Sequence, residues 1–230
     1  MQLLDVAKQC CYRSGDNVLN SLFSTDDNAT AWQGYLQQAG KLIPREHNWQ
    51  KLRREAIIIT AGSTDKYDLP DDFLDMTTDK IYNITDNRYI LSETDDEAFA
   101  TQAMKNNSQS TIRFRIMNDK IVFTYPIDDG LELKYSYNTN YICKLNGEYR
   151  DHFNNDEDEF LLDSELLILK ALALRAVDLG LPEQDKREKD YQDFLRMEMA
   201  NDGAPVFFNK YHRGFVNKTT PVEYSVYDKY

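Results

Sequence analysis

Residues 111–137, TIRFRIMNDKIVFTYPIDDGLELKYSY, decide how the middle of this 230-residue chain folds. Thr111–Ile116 and Lys120–Tyr125 are β-branched and aromatic runs separated by Met117-Asn118-Asp119, a pattern that predicts a β-hairpin. After Pro126 and Gly130, the residues Leu131, Leu133, Tyr135 and Tyr137 alternate with polar neighbours, the period of a half-buried strand. Working back toward the N-terminus, Ala56–Thr60 is a short β-branched run stopped by Ala61-Gly62-Ser63. Lys66–Leu69 is extended ahead of Pro70, and Ile81-Tyr82-Asn83-Ile84 is a further strand. Thr94–Lys105, opened by Asp95-Asp96-Glu97, predicts a short helix. Five or six strands at this spacing imply a small antiparallel sheet or sandwich over residues 55–145.

Both flanks change period. Leu3, Val6, Ala7, Cys10 and Cys11 share one helical face, and Trp32, Tyr35, Leu36, Ala39, Leu42 and Ile43 follow the i, i+3, i+4 rule, with an N-cap among Ser24–Asn28. Pro44 is expected to kink or end that helix, and Trp49 and Leu52 to pack at its exit. Leu161–Leu179 is the most apolar helix, opened by Asp163 as N-cap and stopped by Gly180 and Pro182. Its polar residues Asp163, Lys170, Arg175 and Asp178 crowd one stripe. Glu183–Asn201 follows as a charged helix with Tyr191, Phe194, Leu195 and Met199 on a narrow apolar face. The expected fold is therefore α+β. Residues 1–54 and 146–202 form a helical bundle, 55–145 an inserted small antiparallel β-domain, and 203–230 an extended C-terminal arm.

That last stretch, GAPVFFNKYHRGFVNKTTPVEYSVYDKY, holds seven aromatic residues: Phe207, Phe208, Tyr211, Phe215, Tyr224, Tyr227 and Tyr230. It carries a net charge of +2, which leaves −14 for the rest of a chain whose total is −12. It is too aromatic for an inert linker and too broken by Gly, Pro and Asn for a long helix. It either folds back on its own domain as a strand or reaches another subunit or protein, and its tyrosines and phenylalanines favour the second. Together with Arg213, these aromatics are the expected interface with another subunit or protein.

The remaining composition narrows function. No run is long enough to span a membrane, and Met1–Tyr12 lacks the basic start of a signal peptide. Three cysteines, two of them adjacent and none in a CxxC spacing, point to a reducing compartment and away from zinc. A pI near 4.7 argues against wrapping nucleic acid, although a negative surface suits DNA that slides past without sticking. The acidic run Arg150–Phe160 lacks the turn glycine and closing glutamate of a calcium loop and reads as a solvated connection. No GxSxG, Walker, GxGxxG or HExxH motif occurs, and His47, His152 and His212 lie far apart. We expect no catalytic residue, metal or cofactor; a pocket gathering His152 with Asp151 or Glu148 would revive an enzyme.

Several stretches in order resemble phage head–tail adaptor proteins, the portal-associated ring or head-completion proteins of tailed phages. They are Trp49-Gln50, Leu52, Arg54-Glu55-Ala56 and Thr60; then Tyr67, Leu69-Pro70, Asp72-Phe73, Asp79 and Ile81-Tyr82-Asn83. Next come Arg113-Phe114-Arg115-Ile116, Tyr125-Pro126 and Gly130, and last Leu161-Leu162-Asp163, Glu165–Leu169, Arg175 and Gly180-Leu181. The resemblance runs from about Leu3 to Ala200; Tyr82 stands where relatives often have Trp, and residues 203–230 have no counterpart. It implies a non-enzymatic virion protein at the neck between capsid and tail, assembled in the host cytoplasm. There it would form a homo-oligomeric ring, a dodecamer in such proteins, bound to the portal protein and to tail nozzle, fibre or spike proteins. DNA would pass through its channel without sequence-specific binding, and no membrane would be involved. A ring lower in the tail and a binding or scaffolding module outside virions are the alternatives.

Overall fold

Asp26 starts the second helix as the sequence requires: its carboxylate accepts from the backbone N–H groups of Asn28 and Ala29. In the structure, a computed structural model that describes residues 1–105 and 111–203, α1 spans Leu3–Ser14 and α2 spans Asp27–Glu46. Pro44 does not stop α2. It lies in the last turn, where little of the hydrogen-bond ladder remains to be lost, and the break comes at the extended His47. A 3-10 turn, Gln50–Leu52, then launches the first strand.

Eight strands form one mixed sheet, nearly closed into a barrel. They are β1 (Arg53–Ile59), β2 (Lys66–Asp68), β3 (Phe73–Met76), β4 (Lys80–Asn83), β5 (Arg88–Ser92), β6 (Arg113–Met117), β7 (Lys120–Phe123) and β8 (Glu132–Thr139). Their order is β1-β8-β4-β5-β6-β7-β2, with β3 also beside β8. The hairpin β6–β7 turns at Asn118 and Asp119, both at positive φ (50° and 59°), as a two-residue connection between twisted strands demands. On β8, Leu133, Tyr135 and Tyr137 are buried, as the alternation predicted. They join Ile58, Ile81, Ile90, Phe114, Ile121, Phe123 and Ile127 in one apolar cluster.

A helical bundle with a small inserted antiparallel β-domain is therefore the wrong description. The organising element is the large mixed sheet, accompanied by five helices. Two physical reasons account for the difference. Arg88–Ser92 carries only two apolar residues at its centre and went unread as a strand. The helix α3 (Asp96–Lys105) lies between β5 and β6, and a crossover of this kind permits their parallel pairing (Leu91↔Arg113, Ser92↔Phe114).

A second cluster gathers α1, α2, α4 (Ser164–Asp178) and α5 (Gln184–Asp202) around Leu3, Cys10, Trp32, Leu36, Leu166 and Tyr191. A three-stranded sheet joins it through Cys143, on β9 (Cys143–Leu145), and Phe160, on β11 (Glu159–Phe160); β10 (Glu148–Arg150) is the third strand. The acidic run between these strands is a solvated connection only in part: Asp151, Glu157 and Glu159 are exposed, but others turn inward. Asp158 is fully buried and accepts from the N–H groups of Asn154 and Asn155 at 2.7 and 2.8 Å. The carbonyls of Asp156 and Asp158 take the N–H groups of Leu4 and Leu3, satisfying the start of α1. The polar stripe of α4 is paired at its middle: Arg175 binds Asp16 at 2.7 Å, and buried Lys170 pairs with Glu46 at 3.3 Å, while Asp163 and Asp178 are exposed.

Candidate interface

Strand alternation sends half of each strand outward, and where β1, β4 and β5 meet β8 that outward half carries several apolar side chains among charged ones. Ile57 on β1 lies in register with Lys134 on β8, Lys134 with Tyr82 on β4, and Tyr82 with Tyr89 on β5. One residue pair along, Ile59 faces Glu132, whose carbonyl accepts from the N–H of Ile84 at 2.8 Å. Ile57 is 58% exposed, Ile59 70%, Tyr89 64% and Ile84 38%, so these side chains form a patch rather than scattered exceptions. The Tyr82 and Tyr89 rings pack 5.2 Å apart, and the Tyr82 hydroxyl donates to Asn87 at 2.6 Å. Lys134 is held by Glu55 at 2.9 Å. This polar pair sits inside the apolar row and gives a docking partner a fixed charge pattern to match.

The edge of β1 adds a second feature. All seven of its residues pair with β8, from Arg53↔Asn138 to Ile59↔Glu132. Among the described residues, no strand pairs with the other edge. Sheet edges are ordinarily guarded by shortness, a bulge, proline or lysine. β1 is long, regular, free of proline, and ends in three isoleucines. Its charges, Arg53, Arg54 and Glu55, sit at the opposite end, where the Arg54 guanidinium covers Tyr149 at 5.2 Å.

The residues expected to form the interface, Phe207, Phe208, Tyr211, Arg213, Phe215, Tyr224, Tyr227 and Tyr230, lie outside the described residues. The point from which that segment departs is described. Near the end of α5, the Asp202 carboxylate accepts from the Gln50 N–H at 2.8 Å and lies 3.4 Å from His47 Nε2. Residues 204–230 therefore begin beside the turn that launches β1. Ile57 and Ile59 went unrecognised as surface residues because three consecutive isoleucines contain no polar alternation to mark the outward face.

The groups that could have supported catalysis are placed differently from an active site. His152 and Asp151 meet at 2.6 Å, but both are more than half exposed, and the hydrogen bond from the imidazole holds the Asp151 carboxyl below its ordinary value. Glu148 faces Arg150 instead, at 3.5 Å. The three cysteines are buried thiols; burial pushes Cys143 up to about 12 and also raises Cys10 and Cys11. Among the described residues no His, Cys, Asp or Glu cluster could hold a metal, and no helix is long and apolar enough to cross a membrane.

A family model described as SU10 adaptor protein matches residues 1–203. No curated protein matches the chain.

Proposed function

The chain belongs to the SU10 adaptor protein family, and from that premise we propose that it is a structural subunit of a ring joining the portal of a phage head to its tail. A phage adaptor acts at the neck of the virion, among other head and tail proteins, and its role is structural rather than enzymatic. The observation that carries the finer reading is the extent of the family match. It takes in both apolar clusters and ends at Gly203, where the aromatic segment starts.

In this reading the matched body builds the ring, and residues 204–230 hold it in place. A ring requires two different faces on each subunit that meet without a symmetry axis between them and close after a fixed number of copies. The outward sheet patch of Ile57, Ile59, Ile84 and Tyr89 supplies one apolar face. The segment supplies large, stiff side chains of roughly 150–250 Å² each. Phe207, Phe208, Tyr211, Phe215, Tyr224, Tyr227 and Tyr230 would bury against the portal or a neighbouring subunit, while Arg213 meets acidic surface. The body's net negative charge keeps DNA from adhering as it passes through the channel.

The test compares the full chain with a form ending at Gly203, each mixed with portal-bearing particles that lack this protein. The truncated form should keep its circular dichroism and thermal transition yet wash off the particles. Equal retention of both forms would remove the segment from the attachment, and retention of neither would refute the neck assignment.

A further inference from the structure

We infer that the outer edge of β1 is a strand-accepting site whose occupant is the segment Val222–Tyr227 of a second copy of this chain. The inference rests on the ring reading above and deepens it by naming where the segment docks.

Three observations support it. First, β1 is seven residues of regular strand with no further strand on its outer edge among the described residues; Arg53 is tied up by the Gln50 carbonyl and the Arg54 guanidinium, which leaves the outward backbone groups beyond it to a partner. The two outward side chains nearest the end of β1, Ile57 and Ile59, stand 58% and 70% exposed. A strand that adds here satisfies those backbone groups and covers both isoleucines. Second, Val222-Glu223-Tyr224-Ser225-Val226-Tyr227 has the matching pattern. Val222, Tyr224 and Val226 fall on one side, to continue the inward face of Ala56 and Ile58. Glu223, Ser225 and Tyr227 fall on the other, to continue the outward face. Within residues 204–230 this is the longest β-prone run without Gly, Asn or Pro.

Third, the geometry of departure selects a second copy over the segment's own subunit. The chain leaves α5 beside Gln50, immediately before β1, because Asp202 is bonded there. A strand meant for its own β1 would need only a short turn after Gly203. The strand-like run begins instead at Val222, after a connection that extends up to roughly 60 Å at ~3.3 Å per residue. That is about twice the ~30 Å width of a small domain and suits a crossing to a neighbour.

The experiment uses full-length chains carrying one new cysteine each, since Cys10, Cys11 and Cys143 are buried. Ile57→Cys chains are mixed with Ser225→Cys chains, both positions being on the outward face, and treated with a short bismaleimide. The expected product is a covalent dimer at least tenfold above that from Gln38→Cys chains mixed with the same partner, Gln38 being exposed on α2. Adding Ile59→Lys to the Ile57→Cys chain should cut that yield several-fold, while leaving the thermal transition in place because Ile59 is a surface residue. Dimer yield no higher than the Gln38→Cys control overturns the inference. So does a double Ile57→Cys, Ser225→Cys chain that closes on itself at a dilution where mixed chains give no dimer. Either result leaves the ring reading to be judged by particle retention, which does not depend on where the segment docks.

Discussion

The carboxylate of Asp72 accepts hydrogen bonds from the hydroxyls of Tyr137 and Thr139, at 2.8 Å each, with a different oxygen for each. Its backbone carbonyl takes the N–H of Asn140 at 2.7 Å, and the next residue, Phe73, stacks on Tyr137 with centroids 5.7 Å apart. The Leu69–Phe73 motif is thus a clasp: Pro70 turns the chain, and Asp72 and Phe73 fasten β3 along the end of β8.

Asp72→Ala should therefore destabilise the protein by about 2–3 kcal/mol, since it removes two bonds to a charged acceptor and leaves two part-buried hydroxyls without it. Tyr137→Phe, which keeps the ring stack and one of the bonds, should cost about 1 kcal/mol. Urea titrations with an unchanged slope would check both, and equal midpoints for Asp72→Ala and the parent would remove the clasp.

Two glycines of α2 should respond in opposite directions to the same substitution. A Cβ on Gly40 would meet Phe153 at 2.8 Å and Ile142 at 3.0 Å, whereas one on Gly34 has nothing within 4 Å. Gly34→Ala should gain about 0.5–1 kcal/mol from helix propensity. For Gly40→Ala, overpacking of about 1–3 kcal/mol outweighs that gain and lowers the melting temperature. A stabilised Gly40→Ala would mean that the 142–153 loop does not press on α2.

These contrasts mark how far the sequence could be read. Helical faces were legible because period and burial coincide: Leu3, Val6, Ala7, Cys10 and Cys11 are all buried, and Asp26 and Asp163 cap where caps were expected. The β6–β7 hairpin and β8 were legible for the same reason. The size and mixed pairing of the sheet were not. β5 and β9–β11 are strands of only two to five residues, too short for β-propensity to mark them even though β4–β5 and β9–β10 are hairpins, and the parallel partner of β5 lies beyond α3. Asp158 belongs to a run expected to be solvated, yet Asn154 and Asn155 turn their N–H groups onto it, and the partner of Lys170, Glu46, comes from α2, which nothing near Lys170 in the sequence announces. The outward patch on β1 was hidden by a run apolar on both faces. The family resemblance pointed to a phage adaptor, whereas the helical bundle expected from the flanking helices did not describe this chain.

Alkaline pH should unfold the protein through three tyrosines. Burial pushes the Tyr135 phenol up to about 12, and burial, together with bonds to Asp72 and Glu46, raises Tyr137 and Tyr191 further above the ordinary 10. Below pH 10 both folded and unfolded chains keep these protons, and this contribution to stability is fully present. Above it the unfolded chain loses protons that the folded chain retains, so stability falls as pH rises toward 12 and beyond. Phenolate absorbance should accordingly rise in two stages, exposed tyrosines first and a steep second step coincident with loss of the circular dichroism signal. Complete ionisation of all tyrosines with the fold intact would contradict the burial of these three.

Lys170 and Glu46 should prove unequal partners. The Lys170 ammonium sits 3.3 Å from Glu46 and 4.3 Å above the Tyr191 ring, on a residue only 9% exposed, and the Tyr191 hydroxyl also donates to Glu46. Lys170→Met leaves Glu46 with that hydroxyl and some access to water, so the cost should be about 1–2 kcal/mol. Glu46→Ala strands a buried cation with only an aromatic face beside it, and should cost about 3 kcal/mol, near the lower end for a broken buried pair. Replacing both, as Lys170→Met with Glu46→Leu, removes the stranded charge and should recover most of that loss. A double variant as unstable as the sum of Lys170→Met and Glu46→Leu measured singly would show that the pair is not coupled. The α2–α4–α5 contact would then owe its stability to the leucines around it rather than to the ion pair at its centre.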